Sequence, residues 1–377
     1  MIDIVRQDEL ALDTRAIEAE LAEVWRQAAE RTASGLVRAS SLTLLVVQTD
    51  PAQSTRVEEV LSQVATAHPC RALVLSLTDG GPRARLAAHC RLPAPGQPPA
   101  CWEAIRLEGG PATVARLVSA ARALVVPNLP VQVWWPGEVD PSSPLFQRSL
   151  EIGDRIIVDS SRFGDPFRTL AQYADHAHTE HGTIGFVDLN WRALEPWRLL
   201  VAQPFDDPAD RAFLNGLQSA VIDYERPPDA PGGVAQALLL AGWLASRLGW
   251  AAAAERVGAR EAPERLWFED GARVVGVEIR QRPASSPTAG GLAAVELRAS
   301  IDGREARYAV ERRVEDATTL AEVDGARREA RVHLPASSDA DLLQRELASF
   351  GRDRIYEEAL WMVRSLERRA RAPGERT

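Results

Sequence analysis

Three histidines within six residues, His176, His178 and His181, with Asp175 and Glu180 beside them, are the most concentrated metal-ligand chemistry in this chain of 377 residues. Their spacing argues against a shared site. A helix would put His178 and His181 on one face and leave His176 off it, whereas a strand would align His176 with His178 and exclude His181. The stretch matches no HExxH-type signature, so it reads as a polar joint and no metal is expected. A second set lies in DRIIVDSSRFGDP, where Asp159, Arg162 and Asp165 follow a short apolar run. At a strand exit of an open α/β sheet, Asp159 would act as a base or metal carboxylate and Arg162 as an anion clamp. Asp, Ser and Gly at such an exit are also turn and cap residues, and that reading needs less. A sugar-phosphate site at Asp159, Arg162 and Asp165 is kept as the alternative.

The 44 basic residues are all arginine. Without a lysine there is no Schiff-base amine, no pyridoxal-phosphate anchor and no P-loop ammonium. No GxGxxG follows a strand-like run, and no GxSxG or Cys-His arrangement has the context its chemistry requires. Cys70, Cys90 and Cys101 are odd in number and too widely spaced for a zinc knuckle, and they read as reduced thiols. No catalytic set and no cofactor are therefore expected. A net charge of −9 and an isoelectric point near 5.4 speak against a nucleic-acid partner. The longest apolar stretch, residues 234–250, carries Gln236, Ser246 and Arg247, as a buried helix of a soluble protein does. No membrane contact is expected, and the cytoplasm is the expected compartment.

The elements that would position these groups follow from periodicity. Apolar spacing predicts helices over 12–31, 54–67 and 111–126, and strands at SLTLLVVQ, CRALVLSLT, RARLAAHC, CWEAIRL, VQVWW and DRIIVD. Strands alternating with helices predict a three-layer α/β domain with a largely parallel sheet over residues 1–175. After a linker at 176–185, helices over 196–202 and 234–248 and a strand within 217–225 lead into consecutive strands from residue 266. Their alternation predicts an antiparallel sheet with one wet face, within an α+β domain over 186–377 that ends in two helices. In the last helix, Ile355, Ala359, Val363 and Leu366 form a stripe expected to lie on that sheet.

Two tryptophan-rich places then stand out. Trp134 and Trp135 end the strand VQVWW just before Pro136 and Gly137, so their rings point to opposite faces. One is expected in the sheet and the other at the surface. Trp191 and Trp197, with Arg192 and Arg198, form a second cluster, of which Trp197 and Arg198 fall in the helix expected over 196–202. Trp and Arg dominate the energetics of protein interfaces and stack on one another. All six residues are candidates for a partner interface.

Six stretches, AHPCRALVL, VVPNLPVQVWWPGE, DRIIVDSSRF, DLNWRALEPWRLLVAQPFD, LAGWLASRLGW and IYEEALWMV, resemble in order the OpcA family of glucose-6-phosphate dehydrogenase assembly proteins. The resemblance runs across nearly the whole chain. It implies a protein that is not an enzyme, that binds glucose-6-phosphate dehydrogenase, and that promotes its active oligomer in the oxidative pentose phosphate pathway as an allosteric activator.

Overall fold

The computed structural model describes all residues except 1, 31–36, 39, 92–99, 180–183, 227–232, 254–264, 272, 285–289, 350 and 372–377. In chain order the first elements are β1 (Ile2–Ala11), α1 (Thr14–Glu30), β2 (Val37–Arg38), β3 (Leu42–Gln48), α2 (Ser54–Ala67), β4 (Cys70–Leu77), β5 (Arg83–Arg91) and β6 (Ala100–Gly109). Next come α3 (Val114–Ala123), β7 (Val131–Trp134), α4 (Pro144–Leu150), β8 (Arg155–Val158), α5 (Pro166–Thr179), β9 (Gly185–Asp188), α6 (Leu189–Ala193), α7 (Glu195–Ala202) and α8 (Pro208–Arg211). The rest are β10 (Leu217–Glu225), α9 (Val234–Leu248), β11 (Ala251–Ala252), β12 (Arg265–Asp270), β13 (Arg273–Arg282), β14 (Gly291–Ile301), β15 (Arg304–Arg313), β16 (Asp316–Val323), β17 (Ala326–His333), α10 (Asp339–Ala348) and α11 (Arg354–Arg371). Contacts divide the chain into two units: Met1–Asp159 with Glu180–Leu189 and Ser338–Arg352, and Ser160–Thr179 with Asn190–Ser337 and Asp353–Thr377. The stretch read as a joint thus opens inside α5, which carries His176 and His178, and closes in β9; His181 lies outside the described residues.

The first unit is built on a nine-stranded sheet in the order β1-β5-β6-β4-β3-β7-β8-β9, with β2 pairing β6. From β6 to β9 every pair is parallel. All seven residues of β3 are buried, as a central parallel strand requires when both faces are covered. In α2, Val57, Val60, Leu61 and Val64 are buried at helical spacing. Read along the parallel strands, the order is the 3-2-1-4-5-6 of a doubly wound, Rossmann-type sheet, which reverses direction between β3 and β7. At the opposite end of those strands Arg71 donates to Glu103 at 2.5 Å, and the indole N–H of Trp25 donates to the same carboxylate at 2.6 Å. That pairing satisfies two buried charges at once. Cys70 is a buried free thiol. Cys101 is disulfide-bonded, which corrects the expectation of three reduced thiols. Antiparallel register sets Cys101 opposite Cys90, a proximity that eleven residues of linear separation conceal.

The second unit holds an eight-stranded sheet, β11-β12-β13-β10-β14-β15-β16-β17, antiparallel except between β10 and β13. Alternation decides its faces. Ala306, Tyr308 and Val310 of β15 point inward, while Arg307 and Glu311 point out. Against this sheet's unit α9 is buried along most of its length, and α11 packs on α9 and α5 rather than flat on strands. A Cβ at Gly242 would stand 2.4 Å from the Ala359 carbonyl oxygen, so glycine is what lets α9 and α11 approach. Ala359, Val363 and Leu366 are buried as expected, but Ile355 is 44% exposed. The buried stripe is centred on Tyr356, Leu360 and Val363, and Ile355 falls on its margin. Among the described residues no helix is long and apolar enough to cross a membrane.

Candidate functional site

In a doubly wound sheet, ligands lie beyond the carboxyl ends of the strands, where the strand order reverses. Here that place is the exit of β3 and β7. The β3–α2 turn would have to present free backbone N–H groups to a phosphate, yet it reads Gln48-Thr49-Asp50-Pro51-Ala52-Gln53 without a glycine. The Asp50 carboxylate accepts from the Ala52 N–H at 2.9 Å, placing the chain's own anion at the seat of a phosphate. Gln48 donates to the Asp50 carbonyl and to Ser54 Oγ, at 3.0 and 2.7 Å. The Gln53 amide fills the space over Gly137, where a Cβ would come within 2.9 Å of it. Arg56 then crosses the reversal point: its Nη1 donates to the Pro136 carbonyl at 2.8 Å and its Nε to Asp339 at 2.6 Å. The same guanidinium stands 3.6 Å from the buried Asp159 carboxylate. On the other flank Arg106 donates to Ser76 at 3.2 Å and to Glu58 at 2.7 Å. The strand ends are therefore closed by side chains of the chain itself.

Trp134 and Trp135 belong to this edge, and both are enclosed, at 0% and 2% exposure. The expectation that one ring lies at the surface is corrected. The backbone of Trp135 continues the sheet, donating to the Ile157 carbonyl at 2.9 Å, and its ring meets Phe146 at 5.7 Å. Pro136, Gly137 and Val139, which follow it, are buried as well. Of the alternative ligand set, Asp159 ends β8 against Arg56. Asp165 accepts from the Arg168 N–H at 3.1 Å and caps α5. Arg162 closes the short 3-10 turn Ser160–Arg162. Asp159 lies in the first unit, whereas Arg162 and Asp165 lie in the second.

The second cluster is helical throughout, since Trp197 and Arg198 sit in α7, as expected, and Trp191 and Arg192 in a further short helix, α6. Pro196 in the first turn of α7 has no N–H to leave unpaired, which is why the chain turns into a new helix there. Trp191 is buried edge-on: its indole N–H donates to Asp353 at 2.8 Å and its ring meets Tyr356 at 5.5 Å. Asp353 also accepts from the Tyr356 N–H at 3.0 Å, so one carboxylate both caps α11 and holds the indole. The Arg198 guanidinium lies 3.5 Å from the centre of the Trp191 ring. Burial lowers the Arg198 pKa to about 10, opposed by Asp353 and Glu195. Arg192 pairs with Glu195 at 3.7 Å and is part-exposed. Trp197 is buried beneath, with the Arg312 guanidinium 5.5 Å from its ring.

The structure thus joins Trp191 to Arg198 and seats Trp197 and Arg192 beside them in the same helix pair. What the sequence did not mark is which aliphatics near them are exposed: Leu199, next to Arg198, is 66% exposed, and Ile355, next to Tyr356, is 44% exposed. Leu199 sits in WRLLVAQP, where two adjacent leucines face apart on a helix, and only one of them can be core. Gln53 and Arg56 were missed as well; their role emerges only once β3 and β7 are known to be neighbours. Among the described residues no three His, Cys, Asp or Glu side chains converge to hold a metal ion.

Comparison with known proteins gives consistent relatives. Residues 61–175 match the family model described as glucose-6-phosphate dehydrogenase subunit N-terminal domain, and residues 184–360 match the corresponding C-terminal domain. A putative OxPP cycle protein OpcA of Synechococcus elongatus is 32% identical over 316 residues, which cover 81% of this chain and 69% of that protein. The Synechocystis OpcA is 37% identical over 195 residues, covering 51% of this chain and only 39% of that protein's length. Among solved structures, a 3-ketoreductase from Actinomadura kijaniata aligns over 88% of this chain and 97% of its own, with 14% identity and a TM-score of 0.49. Levoglucosan dehydrogenase aligns over 87% and 97%, with 11% identity and a TM-score of 0.46. Two matched family domains in order, and a relative covered over more than two thirds of its length, establish that the chain belongs to the OpcA family of glucose-6-phosphate dehydrogenase assembly proteins.

Proposed function

We propose that this chain is a non-catalytic, cytoplasmic partner of glucose-6-phosphate dehydrogenase that promotes the enzyme's active assembly. The observation that carries the non-catalytic part is the filled strand exit, where Asp50, Gln53 and Arg56 occupy the ground a dinucleotide would need. The family relationship supports the choice of partner, and the corner formed by α6, α7 and the start of α11 is the contact surface. There the stacked Trp191 and Arg198 give a rigid base, with Leu199 and Ile355 exposed near it and Arg192 part-exposed. Trp134 and Trp135 contribute indirectly, by fixing the shape of the strand exit they close.

Such a partner acts by linkage. A chain that binds the active form of the dehydrogenase more tightly shifts the equilibrium by its differential affinity, and a tenfold shift needs about 1.4 kcal/mol. The test is the initial rate and the oligomeric mass of the dehydrogenase from the same source, with and without this chain. A raised rate with co-elution is the expected result. An unchanged rate and mass would remove the proposal. The sugar-phosphate alternative draws no support from Asp159 and Asp165, which are engaged by Arg56 and by the α5 N-terminus.

A further inference from the structure

The first unit supplies a carboxylate to the guanidinium groups it encloses: Arg71 lies 2.5 Å from Glu103, and Arg155 lies 2.8 Å from Glu346. Arg198 of α7 has no such partner. Among the described residues its guanidinium forms no ion pair, and its one hydrogen bond is long, from Nη1 to the Trp191 carbonyl at 3.4 Å. The carboxylates that act on it are committed elsewhere. Asp353 accepts from the Trp191 indole N–H and from the Tyr356 N–H, and Glu195 pairs with Arg192. Burial therefore prevails over their attraction and lowers the Arg198 pKa to about 10, with the Arg192 charge pressing the same way. A part-buried cation without a counter-ion costs stability, and an apolar side chain would cover the indole without that cost.

The Trp191 ring, 3.5 Å away, covers one face of this guanidinium. Guanidinium N–H bonds lie in the plane of the group, so a stacked indole fixes that plane and leaves the edges to an acceptor. Asp353 anchors the indole in turn, so the fork is oriented before anything binds. Its complement is an oxyanion that takes two parallel N–H bonds. Charge then separates the two common oxyanions. Arg192 and Arg198 are balanced one for one by Glu195 and Asp353, so a phosphate dianion meets no net positive charge, whereas a carboxylate brings a single charge to the same four groups. Arg312 marks the contrast: burial lowers its pKa too, over Trp197, but the charge acting on it is that of Glu225, and no second arginine does.

We propose that Arg198, backed by Arg192, is a receptor for a carboxylate, carried by an acidic side chain of a bound protein or by a free carboxylate ion. The assignment does not depend on the proposed function, which enters only as one source of the carboxylate. The experiment follows the Nε–H resonance of Arg198 by nuclear magnetic resonance in the isotope-labelled full chain, identified by its loss in Arg198→Lys. Sodium acetate is titrated against chloride at constant ionic strength, with inorganic phosphate in a parallel series. Acetate is expected to move the resonance saturably, with half-saturation at about 30 mM. Phosphate is expected to bind more weakly, and Arg192→Gln to weaken acetate about threefold. Unlabelled glucose-6-phosphate dehydrogenase is then added in place of acetate. A shift like that of acetate, reversed by excess acetate, assigns the carboxylate to the enzyme. A resonance that answers acetate alone assigns a free carboxylate ion and leaves the proposed function to its own test of rate and mass. A resonance moved by neither would overturn the proposal and leave Arg198 as a cover for the indole. Phosphate binding as tight as acetate would overturn the choice of carboxylate, and unchanged acetate affinity in Arg192→Gln would overturn the part given to Arg192.

Discussion

The contact surface assigned to the α6–α7 corner can be tested through Leu199 without disturbing the fold. Trp191 is the obvious target and the wrong one. It is buried under Arg198 and bonded to Asp353, so Trp191→Ala would cost about 3–5 kcal/mol of stability and confound any loss of binding. Leu199 leaves 66% of its surface in water, so the free chain loses little when it is changed. Fully burying a leucine is worth about 1.5–3 kcal/mol, and two thirds of that is about 1–2 kcal/mol available to a partner. Leu199→Asp removes that term and sets a carboxylate against an apolar contact, adding at least about 1 kcal/mol. The sum, about 2–3 kcal/mol, is a loss of roughly 30- to 150-fold in affinity. Calorimetric titration with the dehydrogenase reads it directly, and circular dichroism with a thermal melt checks the fold. A variant that melts like wild type and binds within twofold of it would refute the location of the surface.

The same structure makes further commitments. Trp134→Ala should unfold the first unit more readily by about 3–5 kcal/mol, read as a lower denaturant midpoint, since the ring is fully enclosed. NAD or NADP at millimolar concentration should leave the melting temperature unchanged, because the Asp50 carboxylate and the Arg56 bridge occupy the strand exit; a saturable rise would show that the exit opens. Burial, with the Glu103 charge adding to it, pushes the Cys70 thiol up to about 12, so a maleimide at pH 8 should not label it in the folded chain and should label it in guanidinium. At the acid end, the Ser338 hydroxyl and backbone N–H hold Asp341 below the usual carboxylate range, Arg331 does the same for Asp316, and Arg304 for Asp324. Depressed carboxylates stabilise the folded chain above their unfolded pKa and lose that contribution as pH falls through the folded values. Thermal melts should therefore decline below about pH 4 and stay flat from there to neutrality on account of these three groups.

Much of the layout was legible because it rests on short-range periodicity. The run LTLLVVQ, the helices 54–67 and 234–248, and the alternation in β14 and β15 state their environment residue by residue. Elements with weak periodicity were not legible: β1, β9 and α5 carry polar residues that tertiary contacts recruit, as Asp175 is recruited by Arg364 and Arg368. The tryptophans were found by rarity, but rarity does not report exposure. Trp134 and Trp135 look like an exposed pair in the sequence, yet both rings are enclosed, that of Trp135 against Phe146 of α4. Ile355 carries the reverse lesson, since a heptad-like stripe does not state where its centre lies.

The Arg56 bridge has a mechanical consequence. Open α/β sheets with an empty crevice breathe at the reversal point, and ligand binding stiffens them. In this chain the guanidinium ties α2 to the exit of β7 and to α10 from within, so the stiffening is present before anything binds. A ligand reaching the crevice of the first unit would then have little disorder left to remove from it. Amides of β7 should therefore be among the slowest of the first unit to exchange with solvent in the free chain.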